Sequence, residues 1–259
     1  MSVLERLNLK GKKVLVTGAG GLFGMGLARA VAEAGATLVV ASRDEGKMEA
    51  LASELRGEGF DAFAEVVNQG NPGSIEALGE RIEGRFGVLD GLVNNAVLRP
   101  MKGADGSVEQ WEESMRVNAT GLMLMHRVFG QQMVREECGS IVNIGSIQGM
   151  MGPSYELYAG TTMGDLPPDY WFHKGGMLSL TRFYAGLFGK SGVRVNCVSP
   201  GGFFNDQPRA FVERYSEHTM LGRMADDRDL GGAVVYLLSD ASTYVTGVNL
   251  PVDGGYTAK

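Results

Sequence analysis

The chain has 259 residues, of which 44% are hydrophobic and 21% charged, as in an ordinary globular protein. Its formal net charge is −6 at pH 7 and it has no basic block, which argues against nucleic acid or an anionic membrane surface as a partner. No run approaches the roughly 20 apolar residues that span a bilayer, and the N-terminus lacks a signal-peptide core, so we expect a cytoplasmic protein. Cys138 and Cys197 lie far apart, and no group of His, Cys, Asp or Glu residues has the spacing of metal ligands. We therefore predict no metal site.

Short apolar runs rich in β-branched residues alternate along the chain with longer helical patterns. In chain order, the predicted strands are 14–17, 37–41, 62–67, 91–94, 140–144, 193–198 and 248–252. The predicted helices are 24–34, 47–56, 74–85, 110–135, 170–188 and 229–238. This alternation predicts a single doubly wound α/β (Rossmann) domain over residues 1–259, with about seven parallel strands and helices on both faces.

The first predicted strand runs directly into a glycine-rich turn, and a helical pattern follows at once. This is the setting of a dinucleotide-binding loop. Glycines let the backbone approach a pyrophosphate, and the helix N-terminus offers free N–H groups and the positive end of its dipole. The residues that we expect around the pyrophosphate are Gly18, Gly20, Gly21, Leu22, Phe23 and Gly24.

The end of the second strand distinguishes between the two nicotinamide cofactors. An acidic residue there would bind the ribose hydroxyls and favour NAD, but this chain has Ser42 and Arg43. The Arg43 guanidinium could pair with the 2′-phosphate of NADP. Alternatively, Arg43 stacks on adenine or faces solvent, and the neighbouring Asp44 weakens the phosphate interpretation. We favour NADP over NAD.

A tyrosine and a lysine four residues apart, Tyr170 and Lys174, share one face of a predicted helix. Together with the motifs around them, they give the chain a resemblance to the short-chain dehydrogenase/reductase family, classical type, over essentially its whole length. The matching residues are Thr17 to Gly24, Asn94, Asn95, Ala96, Asn118, Ser146, Tyr170, Lys174, Pro200, Gly201 and Val252 to Gly255. The resemblance implies an NAD(P)-dependent oxidoreductase that interconverts an alcohol and a ketone by hydride transfer, and a dimer or tetramer.

The resemblance also implies the role of each catalytic residue. Tyr170 would be the general acid–base, although a free tyrosine has a pKa near 10, too high for efficient proton exchange at neutral pH. Lys174 would favour the phenolate and bind the nicotinamide ribose. Ser146 would hold the substrate oxygen, and Asn118 would support a proton relay toward Lys174. The further cofactor contacts that it implies are Asn68 near the adenine, Asn95 and Ala96 along the ribose, Pro200, Gly201, and the backbone of Phe203 at the carboxamide.

The chain departs from the family pattern at three points. Leu22 stands where classical members have glycine, so the glycine spacing of this turn matches the extended branch of the family. Members of the extended branch normally have longer chains, and we therefore retain the classical architecture. Val97 replaces the glycine that usually follows Asn-Asn-Ala. Ser146 and Tyr170 are 24 residues apart, about twice the usual distance, and we interpret 153–168 as an active-site insert, similar to those of sugar and acylneuraminate dehydrogenases.

The insert suggests a sugar or polyol substrate, because several of its side chains could form hydrogen bonds with one. The candidate substrate residues are Tyr155, Glu156, Tyr158, Thr161 and Thr162 in the insert, with Gln148 and Phe204 outside it. The alternative, to which we give the same weight, is that the insert packs or contacts another subunit and has no role in substrate binding. We interpret 202–222 as a substrate lid that excludes water from the site, and we expect His126 to pack and His173 to turn away from Tyr170 and Lys174.

Three other functions stay open on the sequence. The first is a reductase of hydrophobic ketones or 3-oxoacyl thioesters. The second is an epimerase that uses the hydride transiently. The third is a non-catalytic NAD(P)-binding redox sensor, against which the intact set of Ser146, Tyr170 and Lys174 argues.

Overall fold

The computed structural model describes residues 2–161, 163 and 166–259, which include one sheet of seven parallel strands in the order β3-β2-β1-β4-β5-β6-β7. The strands are β1 (Lys13–Thr17), β2 (Thr37–Ser42), β3 (Ala62–Val66), β4 (Gly91–Asn94), β5 (Gly139–Ile144), β6 (Val193–Pro200) and β7 (Asn249–Val252). The helices are α1 (Val3–Leu7), α2 (Leu22–Glu33), α3 (Glu45–Gly57), α4 (Pro72–Phe86), α5 (Val108–Met115), α6 (Leu122–Arg135), α7 (Pro168–Phe188), α8 (Arg209–His218) and α9 (Gly231–Leu238).

The predicted fold class is confirmed, with about seven parallel strands and helices on both faces. The ends of the predicted strands and helices lie within two residues of the observed ones. Two helices were not predicted: α1, which begins with a capping box between Ser2 and Glu5, and α8, which lies within the interval that we interpreted as a lid.

Two apolar layers hold the helices against the sheet. On one face, Leu27 of α2 and Val234 of α9 are fully or almost fully buried beside Val14 and Val16 of β1. On the other face, α4 and α6 pack against the neighbouring strand residues. Strands buried on both faces need continuous apolar sequence, which is why the runs were recognisable without alternation. The strand order reverses between β1 and β4, and this reversal opens a crevice at the carboxyl edge of the sheet.

The long helix predicted over 110–135 is interrupted. Helix α5 ends at Met115, a π-helical turn covers Arg116–Gly121, and α6 continues from Leu122. A side chain at Gly121 would come within 2.3 Å of the Gln69 carbonyl oxygen, so only glycine fits where the helix passes the end of β3. The π-helical turn carries Asn118, which is 4% exposed, and such turns often occur at functional sites.

The structure also bears on membrane spans, metal sites and the two cysteines. Within the described ranges, no helix is long and apolar enough to cross a membrane, and no group of three His, Cys, Asp or Glu side chains could hold a metal ion. Both cysteines are free thiols; Cys197 is buried and Cys138 is exposed.

Candidate active site

A cavity of about 850 Å³ occupies the crevice where the strand order reverses. Its wall combines the glycine turn after β1, the ends of β2 and β3, and residues 95–99 after β4. Ten of the predicted cofactor residues line it: Gly18, Gly20, Gly21, Leu22, Phe23, Ser42, Arg43, Asn68, Asn95 and Ala96. The structure therefore gathers residues that the sequence separates by up to 78 positions into one dinucleotide-sized space.

The glycine turn is shaped by two close backbone approaches. Gly18 has φ +63°, and a Cβ atom there would lie 2.6 Å from Ala96 Cα. At Gly24, a Cβ atom would lie 2.2 Å from the Gly18 carbonyl oxygen, so both positions require glycine. Leu22 begins α2 with its side chain 46% exposed and lines the cavity, so a leucine at the position of the family glycine meets no steric conflict within the protein itself. Gly21 caps the helix without a side-chain hydrogen bond, which leaves N–H groups available for a phosphate.

The Asn-Asn-Ala segment after β4 holds the glycine turn in place. Thr17 Oγ1 accepts hydrogen bonds from the backbone N–H groups of Asn95 and Ala96 at 3.2 and 3.3 Å. In return, Asn95 Nδ2 donates to the carbonyl oxygens of Thr17 and Gly18 at 3.1 and 3.0 Å. The Asn95 side chain thus acts on the turn, and its contact with a cofactor ribose stays a prediction.

At the end of β2, two cations face the cavity. Arg43 and Lys47 both line it, and neither forms an ion pair with any residue that the structure describes. The Asp44 carboxylate caps α3 by accepting from the Lys47 N–H at 2.9 Å, and the Asp44 N–H donates to Ser42 Oγ at 3.2 Å. The Lys47 side chain reaches toward the glycine turn, since a Cβ atom at Gly20 would lie 2.9 Å from Lys47 Cδ. Sequence reasoning missed Lys47; its position four residues after Arg43, at the start of the predicted helix 47–56, was the available signal.

Tyr170 and Lys174 project from the first turns of α7 toward the end of β5. They are 8% and 3% exposed, and the Lys174 ammonium donates to the Ile144 carbonyl oxygen at 2.6 Å. Ser146 follows β5, is 7% exposed, and accepts from the Gln148 N–H through Oγ at 3.1 Å. The structure brings these three predicted residues together, as the helix spacing and the strand order require.

The charges around Tyr170 oppose the effect of its burial. Burial raises the pKa of the phenol, while the charge of Lys174, the guanidinium of Arg99 and the hydroxyl of Ser146 lower it, and the pKa falls below its ordinary value. Burial also lowers the pKa of Lys174, which the phenol partly offsets. A phenol that ionises more readily than usual is what a general acid–base near neutral pH requires.

Arg99 is a functional candidate that sequence reasoning missed. Its Nη2 donates to the Tyr170 hydroxyl oxygen at 3.0 Å, and its Cζ lies 4.3 Å from the centre of the Tyr170 ring. Arg99 lies five residues after the end of β4, in a loop at the carboxyl edge of the sheet. Such loops line ligand sites in this architecture, which is the signal that could have pointed to it.

Asn118 forms its hydrogen bonds with the segment that precedes Arg99. Its Oδ1 accepts from the Leu98 N–H at 2.9 Å, and its Nδ2 donates to the Leu98 carbonyl oxygen at 2.7 Å and to Ser114 Oγ at 3.0 Å. The side chain therefore fixes the backbone beside Arg99. A relay toward Lys174 stays a prediction.

The two histidines near the site are buried and stay neutral at ordinary pH. Burial lowers the pKa of His126 to about 4, and its ring contacts the Leu122 carbonyl oxygen at 2.8 Å and Asn143 Nδ2 at 3.2 Å. Burial and the charges of Lys174 and Arg99 lower the pKa of His173 to about 3. The expectation that His173 turns away was wrong: its ring packs edge-on against Tyr170 at 5.1 Å, because residues three apart are also helix neighbours.

The described part of the insert packs against α8. Leu157 is buried in a cluster with Phe211, and the Tyr158 and Phe211 rings lie 5.1 Å apart. The Arg214 guanidinium donates to the carbonyl oxygens of Glu156 and Leu157, at 3.3 and 3.4 Å, and also to that of Ala159. These contacts give the insert a packing function, which was one of the two alternatives.

The remaining predicted substrate residues lie in varied surroundings. Tyr155 is 69% exposed, the Glu156 carboxylate lies 3.7 Å from His218 Nε2, and the Thr161 hydroxyl donates to the Tyr158 carbonyl oxygen at 2.8 Å. Thr162 lies outside the described residues. Gln148 is half-buried beside Ser146, and Phe204 is 48% exposed.

Three predicted cofactor residues outside the cavity lining lie at and after the end of β6, and Asn68, which lines the cavity, follows β3. Pro200 ends β6, and the Gly201 N–H donates to the Val252 carbonyl oxygen at 3.0 Å. The Phe203 ring meets Phe23 of α2 edge-on at 4.9 Å, and its carbonyl oxygen accepts from Gln207 Nε2 at 2.7 Å. Asn68 Oδ1 accepts from the Gly70 N–H at 3.0 Å.

A dinucleotide crevice that ends beside a buried Tyr–Lys pair is typical of nicotinamide-dependent oxidoreductases that act on alcohols and ketones. The family model described as Enoyl-(Acyl carrier protein) reductase matches residues 20–257. The chain belongs to the short-chain dehydrogenase/reductase family, classical type.

Two curated relatives match almost the whole chain. The chain is 32% identical to the 3-oxoacyl-[acyl-carrier-protein] reductase FabG of Vibrio cholerae serotype O1, over 96% of this chain and 98% of that protein. It is also 32% identical to the 2-dehydro-3-deoxy-D-gluconate 5-dehydrogenase of Bacillus subtilis, over 98% of each. A solved structure, the gluconate 5-dehydrogenase of Burkholderia cenocepacia with NADP and tartrate, superposes with a TM-score of 0.90 at 32% identity and covers both chains fully.

The family and the site together establish the kind of reaction. The protein is an oxidoreductase that interconverts an alcohol and a ketone with a nicotinamide dinucleotide.

Proposed function

We propose that this enzyme oxidises a hydroxyl group of a sugar-like substrate, or reduces the corresponding ketone, with Tyr170 as its general acid–base. The observation that carries the proposal is the buried Tyr170 phenol, whose pKa is lowered by Lys174 and Arg99 against the effect of burial. The gluconate and 2-dehydro-3-deoxy-gluconate dehydrogenases among its relatives support the substrate class.

In this proposal the chain's own residues manage the proton and the substrate oxygen. In oxidation, the Tyr170 phenolate accepts the hydroxyl proton of the substrate, and in reduction the phenol returns it. The Ser146 hydroxyl donates to the same oxygen as its charge changes. Lys174, held by the Ile144 carbonyl oxygen at 2.6 Å, keeps a positive charge beside the phenol. The nicotinamide dinucleotide, when bound, accepts or supplies the hydride.

Removal of the Tyr170 hydroxyl group tests this mechanism. Tyr170→Phe should lower turnover by about a hundredfold or more while cofactor binding stays intact. Tyr244→Phe, on a fully exposed tyrosine, is the matched control and should behave like the parent. Equal turnover in Tyr170→Phe and the parent would refute the mechanism. A redox sensor would show no net oxidation or reduction with any substrate, and an epimerase would convert substrate without net use of cofactor.

The alternative substrate is a 3-oxoacyl thioester, because the FabG relative is as similar as the sugar-acid relatives. A screen of sugar acids, polyols and 3-oxoacyl thioesters under identical conditions decides between them. A clear preference for the thioester would replace the sugar-like substrate.

We infer that the cofactor is NADP rather than NAD. Arg43 and Lys47 both line the cavity, and of the two acidic residues that also line it, Asp44 and Glu45, the first is engaged as the cap of α3. Two such cations suit a 2′-phosphate. Titration should show about tenfold tighter binding of NADPH than of NADH, and Arg43→Gln should remove the preference. Lys10→Gln is the control for a lost surface charge, and tighter binding of NADH by the parent would contradict the inference.

We further infer a homo-oligomer, a dimer or tetramer, that resides in the cytoplasm. Phe172, Phe183 and Leu187 lie on one face of α7 and are 61%, 61% and 59% exposed, which supports burial against another subunit. The free thiols of Cys138 and Cys197 support a reducing compartment. Light scattering measures the oligomeric state, and a monomer at micromolar concentration would contradict the first inference.

A further inference from the structure

The catalytic end of the crevice carries a second cation besides Lys174. Arg99 lines the cavity, and its guanidinium donates to the Tyr170 hydroxyl oxygen at 3.0 Å. The substrate oxygen has to reach this same phenol for proton transfer. Any substrate that reacts at Tyr170 therefore lies beside Arg99.

No acidic side chain among the described residues neutralises Arg99. Its guanidinium has no carboxylate within 4.0 Å there, and the acidic residues that line the cavity, Asp44 and Glu45, belong to its other end at α3. His173, which also faces Tyr170, stays neutral. The buried Asp169 carboxylate beside Tyr170 has no hydrogen-bond partner in the part of the chain that the structure describes and forms no ion pair with Arg99. The Arg99 guanidinium thus stays without a carboxylate partner at this end of the crevice, which favours an anionic ligand.

The backbone that presents Arg99 is fixed from both sides. Asn118 binds the N–H and the carbonyl oxygen of Leu98 at 2.9 and 2.7 Å, and the Lys102 ammonium donates to the Arg99 carbonyl oxygen at 3.2 Å. Stacking of the guanidinium over the Tyr170 ring further restricts the side chain. A donor held in this way meets its ligand with little loss of conformational freedom.

A guanidinium has five N–H donors, and the structure shows one of its nitrogens engaged with Tyr170. The others can hold a carboxylate in a paired geometry. We propose that Arg99 binds the carboxylate of the substrate, so that the substrates are hydroxy- and keto-acid anions rather than neutral polyols or acyl thioesters. Because Arg99 touches the phenol itself, that carboxylate lies within a few bonds of the reacting carbon. The proposal rests on the proposed function and defines its substrate class.

The test compares two substrates that differ mainly in charge. D-gluconate and D-glucitol are a sugar acid and its neutral polyol, and both are assayed with the cofactor-loaded enzyme. The parent should favour the acid in kcat/KM by about tenfold or more, and Arg99→Gln should reduce this ratio to about one, chiefly through a higher KM for the acid. Loss of the Arg99 charge also affects Tyr170, but that effect falls on both substrates and cancels in the ratio.

A binding measurement gives a readout that does not depend on turnover. Addition of tartrate, a hydroxy acid, to the enzyme–NADPH complex should change the nicotinamide fluorescence, and its Kd should rise by about tenfold or more in Arg99→Gln. Arg99→Lys, which keeps the charge but not the forked geometry, should fall between the two. Lys10→Gln is the control, because it removes an exposed cation that precedes β1 and has no part in holding Arg99 or Tyr170.

An unchanged acid-to-polyol ratio and an unchanged tartrate Kd in Arg99→Gln would overturn the proposal, as would a parent enzyme that prefers the neutral polyol or an acyl thioester. Unaltered NADPH binding by Arg99→Gln shows that the variant is folded. Failure of the proposed function has a different signature: the parent would oxidise or reduce none of these compounds.

Discussion

Replacement of Lys174 by methionine should raise the pKa of the Tyr170 phenol above that of the parent enzyme. The Lys174 ammonium lies 5.7 Å from the centre of the Tyr170 ring, and Lys174 is 3% exposed, so water screens the pair weakly. With an effective dielectric constant of about 20, two charges at that distance interact by about 3 kcal/mol, which is about a hundredfold in an equilibrium constant. The pKa rises because the Lys174 cation stabilises the phenolate, whereas burial favours the neutral phenol and still acts after the cation is removed.

Phenolate absorbance measured during a pH titration gives this pKa directly, and Tyr170→Phe supplies the contribution of the other tyrosines. Alcohol oxidation needs the phenolate, so its rate at neutral pH should fall by about a hundredfold in Lys174→Met and recover as the pH rises. Lys190→Met, beyond the end of α7, is the control for loss of a charge. A pKa that stays constant or falls in Lys174→Met would refute the electrostatic account of this site.

Three further predictions concern the turn, a buried histidine and the insert. Gly24→Ala should weaken cofactor binding by about tenfold or more, because its methyl group would lie 2.2 Å from the Gly18 carbonyl oxygen. Gly84→Ala, inside α4 and with nothing within 4 Å, should instead raise the free energy of unfolding by about 0.5–1 kcal/mol. Nucleotide titration and urea unfolding measure the two effects, and equal cofactor affinities in both variants would contradict the steric argument. The folded protein holds the pKa of His126 at about 4, against an ordinary 6.5, so the unfolded chain binds more protons and the free energy of unfolding should fall as the pH drops through this window. His126→Gln should remove up to about 3 kcal/mol of that loss, and parallel pH profiles in urea would show that His126 is not the cause. Arg214→Met should speed amide hydrogen exchange over 155–159 without a change in cofactor affinity, because three carbonyl oxygens lose their donor; exchange at the parental rate would show that these bonds do not stabilise the insert.

The fold was predictable because its signals are local. Buried parallel strands require short apolar runs, and these locate β1 to β7 within two residues. Helix α8 was missed because its polar sequence has few apolar positions, and only its packing against the insert, through Phe211, shows where its buried face lies. The π-helical turn at Arg116–Gly121 was missed for a similar reason, since the close approach of Gly121 to Gln69 involves a distant part of the chain.

The sequence by itself determined the glycine turn and the shared helix face of Tyr170 and Lys174, because both depend on spacings of a few residues. Only the tertiary structure decided that Arg99 contacts a phenol 71 residues away, and that Asn118 holds the backbone beside it. Arg99 lies in a loop, where no helical or strand period sets the direction of a side chain. The partner of such a residue is decided by where the neighbouring strands and helices place their ends, which the folded sheet alone establishes.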